Sequence, residues 1–216
     1  MEIEFLGGNC FRIKTKNVTV IVDDNLAKIG GQSPQSDKTV AFYTSQDVKG
    51  EVKTTSRLVI DTPGEFEVGD LTVTGVQTRG HMDEDGKQSA TVYQFMLSGQ
   101  TVTVLGHVHP DLAPEVSELA GGTEVLIVPV GGNGYTLDPT GAASIVKSVE
   151  PGVVIPSQYD IQGLSYEMPA QPLEAFTKML TTEELTPVDS YKLVRSATED
   201  LGSSQIKVVV LSRLSK

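Results

Sequence analysis

The sequence contains few of the residues on which disulfide and metal chemistry depend. Its 216 residues include one cysteine, three histidines and no tryptophan. A single cysteine, Cys10, excludes an intrachain disulfide bond, which suits a reducing compartment. Because Cys10 precedes Phe11 in a strand-like segment, we expect its thiol to be buried rather than reactive.

Basic clusters and long apolar runs are also missing. The net charge is −11, whereas binding to a nucleic acid backbone needs clustered Lys and Arg that displace counterions. No apolar stretch approaches the roughly 18–20 residues that span a bilayer. Met1 leads directly into a strand-like alternation, without the regions of a signal peptide. We therefore expect a soluble, cytoplasmic protein that binds neither nucleic acid nor membrane.

The first half of the chain has the pattern of β structure. Short runs rich in Val, Ile, Thr, Phe and Tyr are bounded by Gly, Asn, Asp or Pro, as is typical of strands separated by turns. The segments EVGDLTV (67–73) and MLSGQTVTV (96–104) predict tight hairpins, in which Gly-Asp and Ser-Gly adopt positive φ angles.

After residue 110 the pattern changes to strands that alternate with helices. Residues 110–122 predict a helix with Asp111 as N-cap and Gly121 at its end. Residues 138–152 predict another, with Asp138 as N-cap and Pro139 in the first turn, and residues 169–180 predict a third. Apolar runs predict buried strands at 124–132 and 152–160 and a last strand at 204–214. The sequence therefore predicts an α/β fold of two packed mixed sheets with outer helices, in one domain over residues 1–216.

Five segments occur in an order that resembles the metallo-β-lactamase superfamily. They are FLGGNCFRIKT, VIVDD, DTPGEFEVGDLTVTGVQT, VTVLGHVHPDLAPEVSELAGGTEVLIVPVGG and YTLDPTGAASIVKSVEPGVVIPSQYD, and the resemblance covers roughly the first 180 residues. They are similar to the small metal-dependent hydrolases near the ascorbate-phosphate lactonases. The resemblance implies an αββα sandwich whose site lies at one rim, between the two sheets.

The resemblance also implies where metal ligands would lie. Such enzymes bind one or two transition metals through a His-x-His-x-Asp-His loop, a third His, a bridging Asp and a last His. Alternate residues of an extended segment converge on one ion, which lowers the pKa of bound water to about 7. The segment TVAFYTSQDVKG (39–50) is similar to that loop. It places Ser45 and Asp47 at the two His positions, Lys49 at the Asp position and Gly50 at the final His.

The other implied positions depart from the family as well. His107 stands where the bridging Asp would be, and Gln158 stands where the last His would be. His81 lies at or within one residue of the third His, and Asp23 matches the Asp that supports the metal loop. We do not expect a two-metal site, because Lys49 brings a cation where a carboxylate should lie and Gln158 is a poor ligand.

The pair His107 and His109 admits two interpretations. Both side chains share a face if the preceding strand continues that far. Alternatively, Pro110 turns the chain, which leaves His109 exposed and His107 hydrogen-bonded in a plugged cleft.

Three hypotheses about function follow. The leading one is a hydrolase homologue that has lost most metal ligands, is non-catalytic and needs no cofactor. It keeps a cleft for a small molecule or a protein partner, with five candidate lining residues: Asp23, Ser45, Lys49, His109 and Gln158. The second is a phosphoester or lactone hydrolase with one Zn, Mn or Fe ion on Asp47, His81 and His107. There Ser45 or water completes the metal shell, metal-bound water attacks, and Lys49 holds an anionic substrate group. The third is a structural or assembly role. The oligomeric state stays open.

Overall fold

Two mixed β-sheets form the framework of the molecule. The computed structural model describes residues 1–50, 53–181, 184–193 and 206–214, and at Asp47 it describes the backbone only. The first sheet contains, in spatial order, Tyr191–Lys192 (β12), Glu2–Gly7 (β1), Cys10–Lys14 (β2), Thr19–Val22 (β3), Thr39–Phe42 (β4) and Leu58–Ile60 (β5). Strands β3, β4 and β5 are mutually parallel, and the other pairs are antiparallel.

The second sheet packs against the first. It contains, in spatial order, Lys207–Val208 (β13), Val153–Ser157 (β11), Val125–Pro129 (β10), Gln100–Val104 (β9), Ala90–Leu97 (β8), Leu71–Thr78 (β7) and Gly64–Val68 (β6). The run from β13 to β9 is parallel, and the run from β9 to β6 is antiparallel. The carboxyl ends of parallel neighbours meet at one edge of a sheet, and such edges carry the sites of many α/β proteins.

Both predicted hairpins are confirmed, and of their turn residues only Asp70 lacks the predicted positive φ angle. Strands β6 and β7 are joined through Gly69 and Asp70, and Gly69 has φ +67°. Strands β8 and β9 are joined through Ser98 and Gly99, which have φ +54° and +84°. Two successive positive φ angles match the right-handed twist of the flanking strands.

In the described parts of the chain, four α-helices connect or cover the strands: Gln46–Lys49 (α1), Pro114–Ala120 (α2), Pro139–Val149 (α3) and Glu174–Leu180 (α4). The Asp138 N-cap is confirmed, since its side chain accepts from Gly141 N at 2.6 Å. The Asp111 N-cap was wrong. Helix α2 follows Ala113 and has Pro114 in its first turn, because proline is pre-organised for that position and lacks the N–H that a cap would satisfy.

The last predicted strand is shorter than expected. Within the described residues 206–214, only Lys207–Val208 forms a strand, while Leu211 and Arg213 make single bridges to other segments. The first two residues of the predicted strand, 204 and 205, lie outside the described residues.

Aromatic side chains fill the space between the sheets. Phe42 of β4 meets Tyr93 and Phe95 of β8 edge-on, with both pairs of ring centroids 5.1 Å apart. Such pairs contribute about 0.5–1.5 kcal/mol each beyond the burial of their area. Helices α2 and α3 pack on the second sheet, so the predicted sandwich of two mixed sheets with outer helices is confirmed. Among the described helices, none is long and apolar enough to cross a membrane.

Candidate functional site

The first part of the site is the loop that follows β4. Asp23, at the end of the parallel neighbour β3, accepts hydrogen bonds from Thr44 N at 2.7 Å and Thr44 Oγ1 at 2.6 Å. Asp23 is fully buried and has φ +48°. Burial raises the pKa of its carboxyl to about 7, and the two bonds from Thr44 oppose that rise. Asp23 therefore fixes both the backbone and the side chain of Thr44, the residue at the start of the loop.

The loop itself forms the short helix α1. Ser45 is buried and forms a bridge to Ala90 of the second sheet. Lys49, in the last turn, pairs with Asp61 at 2.5 Å between Nζ and Oδ2. This contact holds the pKa of Asp61 below its usual value. The Lys49 cation is thus neutralised at the end of β5. The side chain of Asp47, a predicted metal ligand, lies outside the described residues.

A second loop carries His81. At its base, the buried carboxylate of Asp83 accepts from Gly80 N and Ser89 N, each at 2.8 Å, and also from Ser89 Oγ. Although burial raises the pKa of Asp83, these bonds outweigh it and lower the pKa to about 2. Asp83 thereby closes a tight turn that presents His81 at the rim.

The third part is the segment after β9, which carries His107. Its backbone is hydrogen-bonded to the second loop: His81 N donates to His107 O at 2.7 Å. The strand ends at Val104, so His107 and His109 do not share the face of a continued strand. His109 is half-buried, and its Nδ1 accepts from Asp111 N at 3.1 Å.

The ring of His107 is held by a relay of two buried side chains. Ser157 Oγ donates to Asn9 Oδ1 at 2.6 Å, and Asn9 Nδ2 donates to His107 Nδ1 at 3.2 Å. Burial, and to a lesser degree the neighbouring His81, lowers the pKa of His107 to about 4, so the ring is neutral near pH 7. A neutral ring that accepts at Nδ1 carries its proton on Nε2. His107 Nε2 is buried and has no hydrogen-bond partner among the described residues.

The ring of His81 is half-buried beside His107. Burial lowers its pKa, and a hydrogen bond to the backbone of Val108 opposes that shift. His81 Nδ1 is buried and has no hydrogen-bond partner among the described residues.

A small cavity of about 30 Å³ lies between these three parts. Among its lining residues are Ser45, His81, Met82, His107 and Tyr135, whose ring meets His107 edge-on at 4.9 Å. Of the sequence candidates, Ser45, His81 and His107 are thus brought together. Among the residues whose side chains are described, no group of three or more His, Cys, Asp or Glu is arranged to hold a metal ion.

The other predicted cleft-lining residues are not among those that line this cavity: Asp23, Lys49, His109 and Gln158. Gln158 is buried with φ +51°, and its N donates to Gly8 O at 2.8 Å. The residue that sequence reasoning missed is Asn9. The signal for it was weak, namely a polar residue between Gly8 and Cys10 at the turn of a core hairpin.

Comparisons with known proteins agree with this architecture. Residues 2–158 match the family described as Beta-lactamase superfamily domain. A UPF0173 protein of Pyrococcus abyssi is 24% identical, with 76% of this chain and 85% of that protein covered.

Solved structures show the same arrangement. A candidate Zn-dependent hydrolase of the metallo-β-lactamase superfamily from Thermotoga maritima is 25% identical, with a TM-score of 0.70 over 97% of both chains. Igni18, a metallo hydrolase from Ignicoccus hospitalis, shares the fold at 17% identity and a TM-score of 0.59, with 98% of this chain and 95% of that chain covered. The motif order, the two mixed sheets and the match over most of the chain lead to one conclusion: the chain belongs to the metallo-β-lactamase superfamily.

Proposed function

We propose that this chain is a member of a hydrolase superfamily that does not perform metal-dependent hydrolysis and that uses its cleft to bind a small molecule. The observation that carries the proposal is the state of His107. A metal ligand must offer a lone pair, but Nδ1 of His107 is paired with the Asn9 amide at 3.2 Å, and a neutral ring that accepts there carries its proton on Nε2. The residues at this site do not fit the family's metal in that arrangement.

The other positions that the family uses for metal binding support the same proposal. Lys49 is paired with Asp61, and Gly50 has no side chain to offer. Asp83, the carboxylate in the cavity wall, already accepts hydrogen bonds from Gly80 and Ser89 and pairs with Lys87. Because these contacts occupy its carboxylate oxygens and stabilise the loop, Asp83 is not available as a metal ligand.

The proposal predicts the metal content of the protein. Untagged protein should contain far less than one equivalent of Zn, Mn or Fe by elemental analysis, and soaking with each ion followed by desalting should not change this. The matched variants are Asp47→Ala and His107→Asn, which should behave like the unsubstituted protein. Near-stoichiometric metal in the parent that both variants lose would contradict the proposal.

A second candidate function is a hydrolase with one metal on Asp47, His81 and His107. It is favoured by one observation: His81 and His107 line the same cavity, and each has a ring nitrogen, Nδ1 of His81 and Nε2 of His107, without a partner among the described residues. It requires the Asn9 amide to turn over, so that Oδ1 accepts from a protonated Nδ1, as in the oriented histidines of metal enzymes. When bound, such an ion would supply Lewis-acid activation of water.

A further inference from the structure

A second cavity, of about 150 Å³, lies on the outer face of the first sheet. Leu6 and Leu26 in its wall belong to a small apolar cluster that is separate from the core between the sheets. Arg12 lines it as well, because alternate residues of a strand point to opposite faces and the neighbours Phe11 and Ile13 face the core. The described lining of this cavity shares no residue with the small cavity beside the histidines. Binding here would therefore be independent of the proposed function.

The guanidinium of Arg213 is held in the wall of this cavity. The backbone of Arg213 bridges to Phe5 of β1, and Leu214 N donates to Phe5 O at 2.9 Å. Arg213 Nε donates to Leu6 O at 3.2 Å. A guanidinium has one N–H on Nε and the rest of its donors on the two Nη atoms. The contacts with β1 thus fix the side chain and leave both Nη groups for other partners.

These Nη groups have no counter-charge in the part of the chain that the structure describes. Among those residues, Arg213 makes no ion pair, and its one side-chain hydrogen bond is the bond from Nε. Arg213 is partly exposed and lines the cavity, and its Nη atoms are not among the buried side-chain atoms that lack a partner. They therefore face the cavity rather than the protein interior.

Two glycines lie against the guanidinium without covering it. A Cβ added to Gly31 would lie 3.5 Å from Arg213 Nη2, and one added to Gly163 would lie 3.7 Å from Nη1. Gly163 has φ +83°, which favours glycine, but Gly31 has no positive φ. A Cβ at Gly31 would instead lie 3.1 Å from Leu26 Cβ. The absence of a side chain at Gly31 therefore keeps Nη2 open to the cavity.

The surroundings of the cavity are positively charged, although the chain as a whole is acidic. Arg12 and Lys14 both pair with Glu4, at 2.8 and 2.5 Å, so two cations share one carboxylate. The described lining contains Arg12 and Arg213 but neither Asp nor Glu. The carboxylate of Asp24 lies behind the wall, is 1% exposed and already accepts hydrogen bonds from three groups: Leu26 N, Ser33 Oγ and Gln35 Nε2.

We propose that this cavity binds the phosphate group of a small phosphorylated molecule, with the phosphate oxygens accepting from the Nη groups of Arg213. A planar guanidinium fork matches two oxygens of an oxoanion. The charge of Arg12 in the same lining favours a doubly charged phosphate over a singly charged carboxylate. Four apolar side chains complete much of the wall: Leu6, Leu26, Pro34 and Leu214. They favour a phosphate that carries an apolar group over inorganic phosphate.

The experiment is a proton and nitrogen-15 NMR titration of labelled protein at pH 7.5 and constant ionic strength. The probes are phenylphosphonate, whose carbon–phosphorus bond resists hydrolysis, benzoate as its carboxylate counterpart, and inorganic phosphate. Phenylphosphonate should shift the backbone resonances of Gly31 and Arg213 saturably, with a millimolar Kd. Benzoate and inorganic phosphate should each bind about tenfold more weakly, which corresponds to the loss of one modest interaction.

Three variants complete the test. Arg213→Gln should weaken phenylphosphonate binding at least about tenfold, because it removes charge-assisted hydrogen bonds. Arg213→Lys keeps the charge without the fork and should weaken binding less than Arg213→Gln does. The matched control is Lys192→Gln, which removes one exposed cation outside the described lining and should leave binding unchanged. If neither Arg213 variant folds, Arg12→Gln replaces them and should weaken binding severalfold.

Three outcomes would overturn the inference. The first is the absence of saturable shifts with phenylphosphonate. The second is equal binding by Arg213→Gln and the unsubstituted protein, which would mean that Arg213 only attaches the 213–214 segment to β1. The third is equal binding of benzoate and phenylphosphonate, which would mean that the cavity does not select phosphate. None of these results changes the metal content beside His107, so the proposed function stands or falls separately.

Discussion

Replacing Gly106 with alanine is expected to lower the free energy of unfolding by about 3–5 kcal/mol. A Cβ at this position would lie 2.1 Å from Thr44 Oγ1 and 2.4 Å from Thr44 Cβ, and the backbone has φ +62°. Thr44 has little freedom to retreat, because Asp23 holds both its N and its Oγ1. The substitution therefore combines backbone strain with overpacking at the point where the two sheets meet beneath the site.

The matched control is Gly99→Ala. Gly99 also has a positive φ, +84°, but a Cβ there would meet no atom within 4 Å, so only the backbone strain of about 1–2 kcal/mol applies. Urea unfolding of both variants at pH 7 measures the difference. Equal losses in the two variants would show that the contact with Thr44 is not tight.

The second large effect concerns how the free energy of unfolding depends on pH. In the unsubstituted protein, two buried groups contribute to it with opposite signs and largely cancel. Asp23 has its pKa raised to about 7 in the folded state by burial, from an ordinary value near 4. Its contribution to stability is present at low pH and is lost as pH rises through 7. His107 has its pKa lowered to about 4 by burial, so its contribution is present above its ordinary value near 6.5 and is lost as pH falls to 4.

The two contributions oppose each other between about pH 4 and 6.5, each with a slope of about 1.4 kcal/mol per pH unit. In Asp23→Asn the amide can still accept from Thr44 N and donate to Thr44 Oγ1. That variant should gain stability relative to the unsubstituted protein as pH rises, by roughly 3 kcal/mol across the window. His107→Asn should lose a similar amount over the same window.

The measurement is urea unfolding at half-unit pH steps for the three proteins. Differences from the unsubstituted protein remove the contribution of all other titrating groups. Parallel stability curves for the three proteins would contradict the assignment of buried, shifted groups to Asp23 and His107.

The sequence predicted the framework better than the site, for a physical reason. The features that it predicted depend on residues close together in the chain. They are the strand pattern, the Ser-Gly hairpin and the Asp138 N-cap. The Asp111 cap failed because Pro114, three residues later, began the helix instead.

The state of His107 depends on contacts that no local pattern encodes. Asn9 lies 98 residues from His107, and Ser157 lies 148 residues from Asn9. Only the pairing of the two sheets brings them together. Motif order could place His107 at a family ligand position, but it could not show which ring nitrogen carries the proton.

The most direct test of the account is the tautomer of His107, read by long-range nitrogen-15 and proton correlation NMR of the side chain at pH 7.5. We predict a neutral ring that is protonated on Nε2 and whose resonances stay unchanged when one equivalent of Zn(II) is added. A ring protonated on Nδ1, with an Nε2 resonance that moves on addition of Zn(II), would contradict it and identify a metal site instead.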